Sequence, residues 1–360
     1  MSRIIEGGFG EINLGTLREP EAVELEPGAP FHILLAGDFS GAGLPARAPV
    51  AIDRDNFDAV MAAMNVAVDL RGLKLQFREL DDFHPDRIYR SAPIFQNLDR
   101  GQPAPPPPAP TPTAGLLDQM LAEKTADRPV SLQDAGDIEW FARRVSAGQV
   151  IREDPAARQR QAGRDQRAAA LMRGILRHPQ VQALEAAWRA VWMLVRRLDT
   201  DNGVKLHLLD TTLPELLAAP DTAKGPWTLI VGNYSFGQSE ADAQALARIA
   251  GLGVPFVAAA HIDEEPHAAW EQFRHSPAAR SVGLALPRFL LRLPYGKETD
   301  AIETFPFEEM PESEHAAYLW GNPAFACAYC LATREHTLDG LPLLASGLCT
   351  EILMTEGDAQ

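Results

Sequence analysis

The chain has 360 residues, 46% of them hydrophobic, and 49 Asp and Glu against 33 Lys and Arg leave a formal charge of -16. That length and apolar content suffice for two or three globular domains with substantial cores. The acidic balance argues against nucleic acid or an anionic membrane as a partner, since both demand concentrated Lys and Arg. No apolar run approaches the roughly 20 residues that span a bilayer, and MSRIIEGGFGE lacks the apolar stretch of a secretion signal. Three cysteines, Cys327, Cys330 and Cys349, are too few for a disulfide framework. A cytoplasmic chain without membrane insertion is expected.

In chain order, RIIEGGFGEINLGTL places Ile12 and Leu14 in alternation, as an extended terminal arm or an unpaired tail. FHILLAGDFSG reads as a buried strand from Phe31 to Ala36 that ends at Gly37 in a glycine-rich turn. IDRDNFDAVMAAM predicts a helix capped by Asp53 or Asp55, with Phe57, Val60, Met61 and Met64 on one face. The period then changes to two. Val66, Val68 and Leu70, followed by Leu73, Leu75 and Phe77, alternate about Arg71-Gly72 and predict a β-hairpin. Pro85 suits the first turn of a short helix.

GQPAPPPPAPTPTAG, residues 101–115, is too rich in proline for helix or sheet and reads as an extended linker. Residues 116–165 then hold a short helix and a polar connector, the helix carrying Leu116, Leu117, Met120 and Leu121 on one face. A long helix is predicted from about Arg167 to Leu198, with Leu184, Trp188, Val191, Val195 and Leu198 as its core stripe. Strands at 204–210, 227–234 and 254–261 alternate with helices over LPELLAA and EADAQALARIAGLG, the pattern of a mainly parallel sheet with right-handed crossovers. The expected fold is α/β: a small N-terminal α/β module, 1–100, docked on a larger domain, 166–360. In LPRFLLRLPYG, Phe289, Leu290 and Leu293 are expected to face a core, while Arg288 and Arg292 pair with carboxylates.

Candidate chemistry is sparse. GDFSGAG lacks the Gly-Lys-Ser/Thr ending of a phosphate-binding loop and reads as a tight turn. CAYC is a single cysteine pair in an Ala-rich helical run, read as two small buried hydrophobes. HIDEEPH sets His261 and His267 beside Asp263, Glu264 and Glu265 just past a strand, but the spacing fits no metal motif and reads as a solvated acidic loop. No Gly-x-Ser-x-Gly elbow or other nucleophile and base pair stands out, so no catalytic residue, cofactor or metal is assigned. A weaker alternative is a ligand-binding or enzymatic α/β domain using the strand ends near Asn233 and His261. Arg158, Arg160, Arg164 and Arg167 form a basic stripe, read as a solvated helix face that an acidic protein could also turn toward copies of itself.

Trp188 within LEAAWRAVWMLV, GPWTLIVGNYSFGQSEADAQALARIA, VPFVAAAH, AWEQFRHSPAARSVGLALPRFLLRLPYGKET and YLWGN occur in the order found in the large contractile-sheath subunit of type VI secretion systems, the VipB (TssC) type. The resemblance spans about Arg167 to Phe325, with Trp188, Arg288, Arg292, Tyr295, Trp320 and Asn322 as its structural signature. PFHILLAGDFSG, IDRDNFDAVMAAM and LQFRELDDFHPDRI resemble the small sheath subunit, the VipA (TssB) type, over about Pro30 to Leu98. The chain therefore resembles two sheath subunits joined by a proline linker, the large one shorter at its C-terminus than the family pattern.

The resemblance implies a non-enzymatic structural protein of a contractile sheath, with sheath subunits or itself as partners. Inner tube protein, baseplate and a ClpV-type unfoldase are further implied partners, the unfoldase docking on Leu116, Leu117, Met120 and Leu121. An accessory or capping protein that binds a sheath end or the baseplate and limits polymerisation is the alternative.

Overall fold

The structure, a computed structural model of the chain, describes residues 30–41, 48–98, 155–201, 203–262, 265–312 and 314–333. Its first strand, β1 (Phe31–Gly37), carries four consecutive residues, Ile33 to Ala36, that are wholly buried. A continuous apolar run of this kind needs cover on both faces of the sheet, and it has it. β2 (Val50–Ile52) leads into α1 (Phe57–Ala63), where Phe57, Val60, Met61 and the following Met64 are buried as the spacing predicts. The cap differs from expectation. Asn56 begins the helix without a side-chain cap bond, and Asp53 Oδ1 instead accepts from the Asp55 and Asn56 amides, shaping the turn ahead of the helix.

The predicted hairpin is present as β3 (Ala67–Leu70) and β4 (Leu73–Gln76). Its two turn residues, Arg71 and Gly72, both have positive φ, 53° and 94°, the twist that a two-residue hairpin favours. The Asp69 carboxylate accepts from Gly72 N at 2.7 Å. Short helices α2 (Pro85–Ser91) and α3 (Pro93–Gln96) follow.

The long helix expected over 167–198 is two helices, α4 (Pro155–Leu176) and α5 (Pro179–Arg197). Proline at 179 lacks an N–H and disfavours helical dihedrals at the residue before it. His178 accordingly sits in extended backbone, with Nδ1 accepting from Gln180 N to cap α5. After α5 the order is β5 (Val204–Asp210), α6 (Leu213–Ala218), β6 (Leu229–Phe236), α7 (Glu240–Ala250), β7 (Phe256–Ala260), α8 (Ala268–Arg274) and β8 (Val282–Ala285). β9 (Phe289–Arg292) pairs antiparallel with β10 (Leu319–Gly321), and α9 (Pro323–Thr333) ends the described chain.

The fold is mixed α/β around one six-stranded sheet of order β2-β5-β1-β6-β7-β8. All neighbours run parallel except β2, which lies antiparallel on β5. Thus β1 does more than dock: it lies inside the sheet, paired with β5 from Phe31↔Val204 to Gly37↔Asp210 and with β6 from Ile33↔Leu229 to Ala36↔Gly232. Ile33 and Leu35 join the core on one face with α1, α4, α5 and α9, while Leu34 and Ala36 join the core on the other with α6, α7 and α8.

Candidate functional site

The described residues bring together two arrangements that hold the front elements, up to Leu98, against the rear: a seam around β1 and a buried ion cluster at Arg292. At the seam the backbone ladder continues past the strand ends. Phe31 N donates to Gly203 O, Thr228 N to His32 O and Thr211 N to Gly37 O, each at 2.8 Å. The loop after β1 is pinned by one carboxylate, since Asp210 Oδ1 accepts from Phe39 N at 2.8 Å and from Ser40 N at 3.1 Å. Gly41 closes the turn with φ +72°, where an added Cβ would lie 2.6 Å from Ala67 O. Only glycine takes both that dihedral and that approach without strain.

Trp188 of α5 is the rear contribution to the seam. It is wholly buried, its Nε1 donates to Phe39 O at 2.8 Å, and its ring meets Phe39 and Phe57 edge to face at 6.0 and 5.6 Å. Such pairs add about 0.5–1.5 kcal/mol beyond area burial. Phe57 also lies 4.8 Å from Trp192. On the far side Asp86 of α2 accepts from Glu303 N at 3.1 Å, Thr304 N at 3.0 Å and Thr304 Oγ1 at 2.6 Å. Burial alone would raise the Asp86 carboxyl, but these three donors and His84 outweigh it and hold its pKa below the ordinary carboxylate value.

The second arrangement centres on Arg292 of β9. Its Nε and Nη2 donate to Glu185 at 2.7 and 3.2 Å, and its Nη1 and Nη2 donate to Glu309 at 2.7 and 3.1 Å. Arg189, one turn after Glu185 on α5, donates to the same Glu185 oxygen at 2.7 Å and to Tyr295 Oη at 3.1 Å. Tyr295 N donates to Glu309 Oε2 at 2.8 Å, and the Arg292 guanidinium lies 4.0 Å from the Tyr295 ring centre. Two carboxylates thus face two guanidinium groups with no charge left over. Burial opposes ionisation of Glu185, yet Arg292 and then Arg189 prevail and hold its pKa low, while Glu185 drives that of Arg292 up. Burial, ahead of the Glu185 charge, pushes the Tyr295 phenol up and keeps it neutral.

The other signature residues also have structural surroundings. Arg288 is exposed, and its guanidinium lies 5.3 Å from the centre of the Trp320 ring. Trp320 donates from Nε1 to His315 O at 3.0 Å and stacks on the His315 ring at 4.6 Å. Asn322 donates to Tyr234 O at 3.0 Å and Gly232 O at 3.4 Å, and its Oδ1 accepts from Ala324 N, so it fastens the start of α9 to β6. Leu293 departs from expectation. Phe289 and Leu290 are buried, but Leu293 is 53% exposed, because it lies just past the end of β9 and outside its pairing with β10.

Leu116, Leu117, Met120 and Leu121 lie outside the described residues, as do Ile12, Leu14 and Cys349. Cys327 and Cys330 are half-buried thiols on α9 that form no disulfide, and burial, then the neighbouring Cys330, pushes Cys327 up, away from thiolate chemistry. His261 lies 3.2 Å from Ser235 Oγ, and His267 caps α8. Among the described residues no group of three or more His, Cys, Asp or Glu is placed to hold a metal ion, and no helix is long and apolar enough to cross a membrane. Glu185, Glu309, Asp86 and Asp210 escaped the sequence reading. Glu185 did leave a signal: it sits between Leu184 and Trp188 on the buried face of α5, where an acid requires a partner.

Comparison with known proteins matches separate front and rear stretches of the chain. Residues 18–100 match the family model for VipA of the type VI secretion system, and residues 162–224 and 257–341 match the VipB tail sheath N-terminal domain. In an alignment of 203 residues that takes in 43% of the chain, it is 30% identical to the type VI secretion system sheath protein TssC1 of Pseudomonas aeruginosa. The chain spans 41% of the length of that relative.

Proposed function

We propose that this chain, which joins a VipA-type segment to a VipB-type tail-sheath segment, is a non-enzymatic structural component of a type VI secretion contractile sheath, working in the cytoplasm. One observation carries the reading. β1, from the VipA-matching segment, is paired on one edge by β5, which lies within the VipB-matching stretch 162–224, and on the other by β6, which lies between the two VipB-matching stretches. Two sheath subunits that must find each other from separate chains would here be tethered, so that pairing becomes intramolecular and independent of chain concentration. In this reading 1–100 is the small-subunit module, 101–115 the tether, 116–165 a connector bearing the unfoldase-docking face Leu116, Leu117, Met120 and Leu121, and 166–360 the large-subunit domain. Trp188, Arg288, Arg292, Tyr295, Trp320 and Asn322 keep the wall unit rigid and take no part in bond chemistry. Its partners would be sheath subunits or further copies of itself, and then the inner tube, the baseplate and a ClpV-type unfoldase. No observation favours the capping alternative over a wall unit.

Electron microscopy of the full chain, alone and mixed with sheath subunits, tests the proposal. Tubes, or incorporation of the chain along tube walls, are expected. Chains that stay monomeric and are excluded from growing tubes would refute a building-block role. For the docking face, Leu117→Asp with Met120→Asp should abolish capture by the unfoldase, and undiminished capture would remove that assignment.

A further inference from the structure

At the carboxyl ends of β1, β5 and β6, where ligands of open α/β sheets commonly sit, a pocket of about 280 Å³ opens between α5 and the start of α6. Three polar groups that line it have unspent hydrogen-bond capacity: the Asp38 carboxylate and the side-chain amides of Asn233 and Gln180. Asp38 accepts one bond, from Gly41 N at 2.8 Å, and no described Lys or Arg forms an ion pair with it. The other carboxylates nearby are engaged, Asp210 by the amides of Phe39 and Ser40 and Glu215 by Thr212 N. Partial desolvation raises the Asp38 carboxyl, the Gly41 amide opposes the rise, and repulsion from Asp210 and Glu215 adds to it; these neighbouring carboxylates, with no Lys or Arg among the lining residues, give the pocket its acidic character. Leu184 and Leu213 supply an apolar wall.

We propose that this pocket binds a guanidinium or alkylammonium group carried on a short aliphatic stem. A carboxylate oxygen and two amide carbonyls offer acceptors to a planar fork of N–H donors, and the leucines cover the stem. Anionic ligands such as nucleotides are disfavoured by the same carboxylates. Two sources share the chemistry, a free polyamine-like molecule and an arginine side chain of a second copy. The inference does not depend on the sheath reading.

Calorimetric titration of the full chain with agmatine, which carries both groups on one stem, should give saturable binding. Asp38→Asn should weaken it about tenfold or more, the worth of one charge-assisted hydrogen bond. Glu298→Gln, an equal change in net charge at an exposed position away from the pocket, should leave it unaltered. Butylurea, with a similar stem and no charge, should not compete. Asp38 is exposed, so its variant should unfold at the parent temperature, which excludes misfolding as the cause. Sedimentation identifies the source. If the group belongs to a second copy, both Asp38→Asn and saturating agmatine lower self-association; if it is a free molecule, binding persists and self-association does not change. Absence of saturable agmatine binding, or equal affinity in Asp38→Asn, would overturn the proposal.

Discussion

The inserted strand and the Arg292 cluster hold the same molecule together by opposite means. Around β1 the contacts are apolar and numerous, and Ile33, Leu34 and Leu35, all wholly buried, contribute about 1.5–3 kcal/mol each as an upper range. No single contact there is indispensable. At Arg292 the contacts are few and directional, and each group is tolerable in the interior only because the others are present. The seam is therefore a source of stability. The cluster fixes how β9, α5 and the segment around Glu309 sit relative to one another, and its worth shows mainly when it is broken.

That contrast predicts an order of effects. Arg292→Met should be the most damaging, because Glu185 and Glu309 are then buried without their main cation. A loss of about 3–5 kcal/mol is expected in denaturant unfolding, and replacing Glu185 and Glu309 with Leu and Met in the same chain should recover a large part of it. Equal stability of the single and the compensated variants would erase the distinction. Leu35→Ala should cost about 2–5 kcal/mol through the cavity it leaves in the core between the sheet and the helices on that face. Its cost should add to that of a distant change, whereas costs within the cluster should not add.

Asp86→Asn should cost about 1–3 kcal/mol and should also change the response to acid. The pKa values of Asp86 and Glu185 are both lowered in the folded chain. Their stabilisation is then present above the unfolded carboxylate values near about pH 4 and is lost as pH falls toward the folded ones. Urea midpoints measured from about pH 5 down to pH 3 should fall less steeply in Asp86→Asn than in the parent chain; parallel curves would remove Asp86 as an acid-sensitive tie. Leu293→Ser should be the mildest, within about 0.5 kcal/mol, and a larger loss would show that its exposed side chain is covered by something.

The same contrast explains what was legible in the sequence. Apolar periodicity marks residues one at a time, so the strand at Phe31, the hairpin about Arg71-Gly72 and the alternation from Val204 to Ala260 were all readable locally. Where a local rule was overlooked the reading failed, as at Pro179, whose missing N–H splits the helix. Directional pairs are a property of two distant positions. Nothing near Arg292 names Glu185, 107 residues earlier, and nothing near Asp86 names Thr304, 218 residues later. The insertion of β1 between β5 and β6 was hidden for a related reason: consecutive elements usually neighbour each other, and here the sheet is completed across more than 160 residues of chain. The pocket at Asp38 likewise needs three strands and two helices to exist at all.

The central claim is that the two segments form one sheet and are not two self-sufficient domains. A protease site placed within residues 101–115 of the purified chain tests it most directly, with the cut protein followed by gel filtration and by amide hydrogen exchange. The account predicts that the two pieces stay together as one species in native buffer, with the amides of Ile33 to Ala36 protected as strongly as those of β5. Pieces that separate cleanly, each folded and the rear one keeping an intact β5 and β6 without β1, would contradict it.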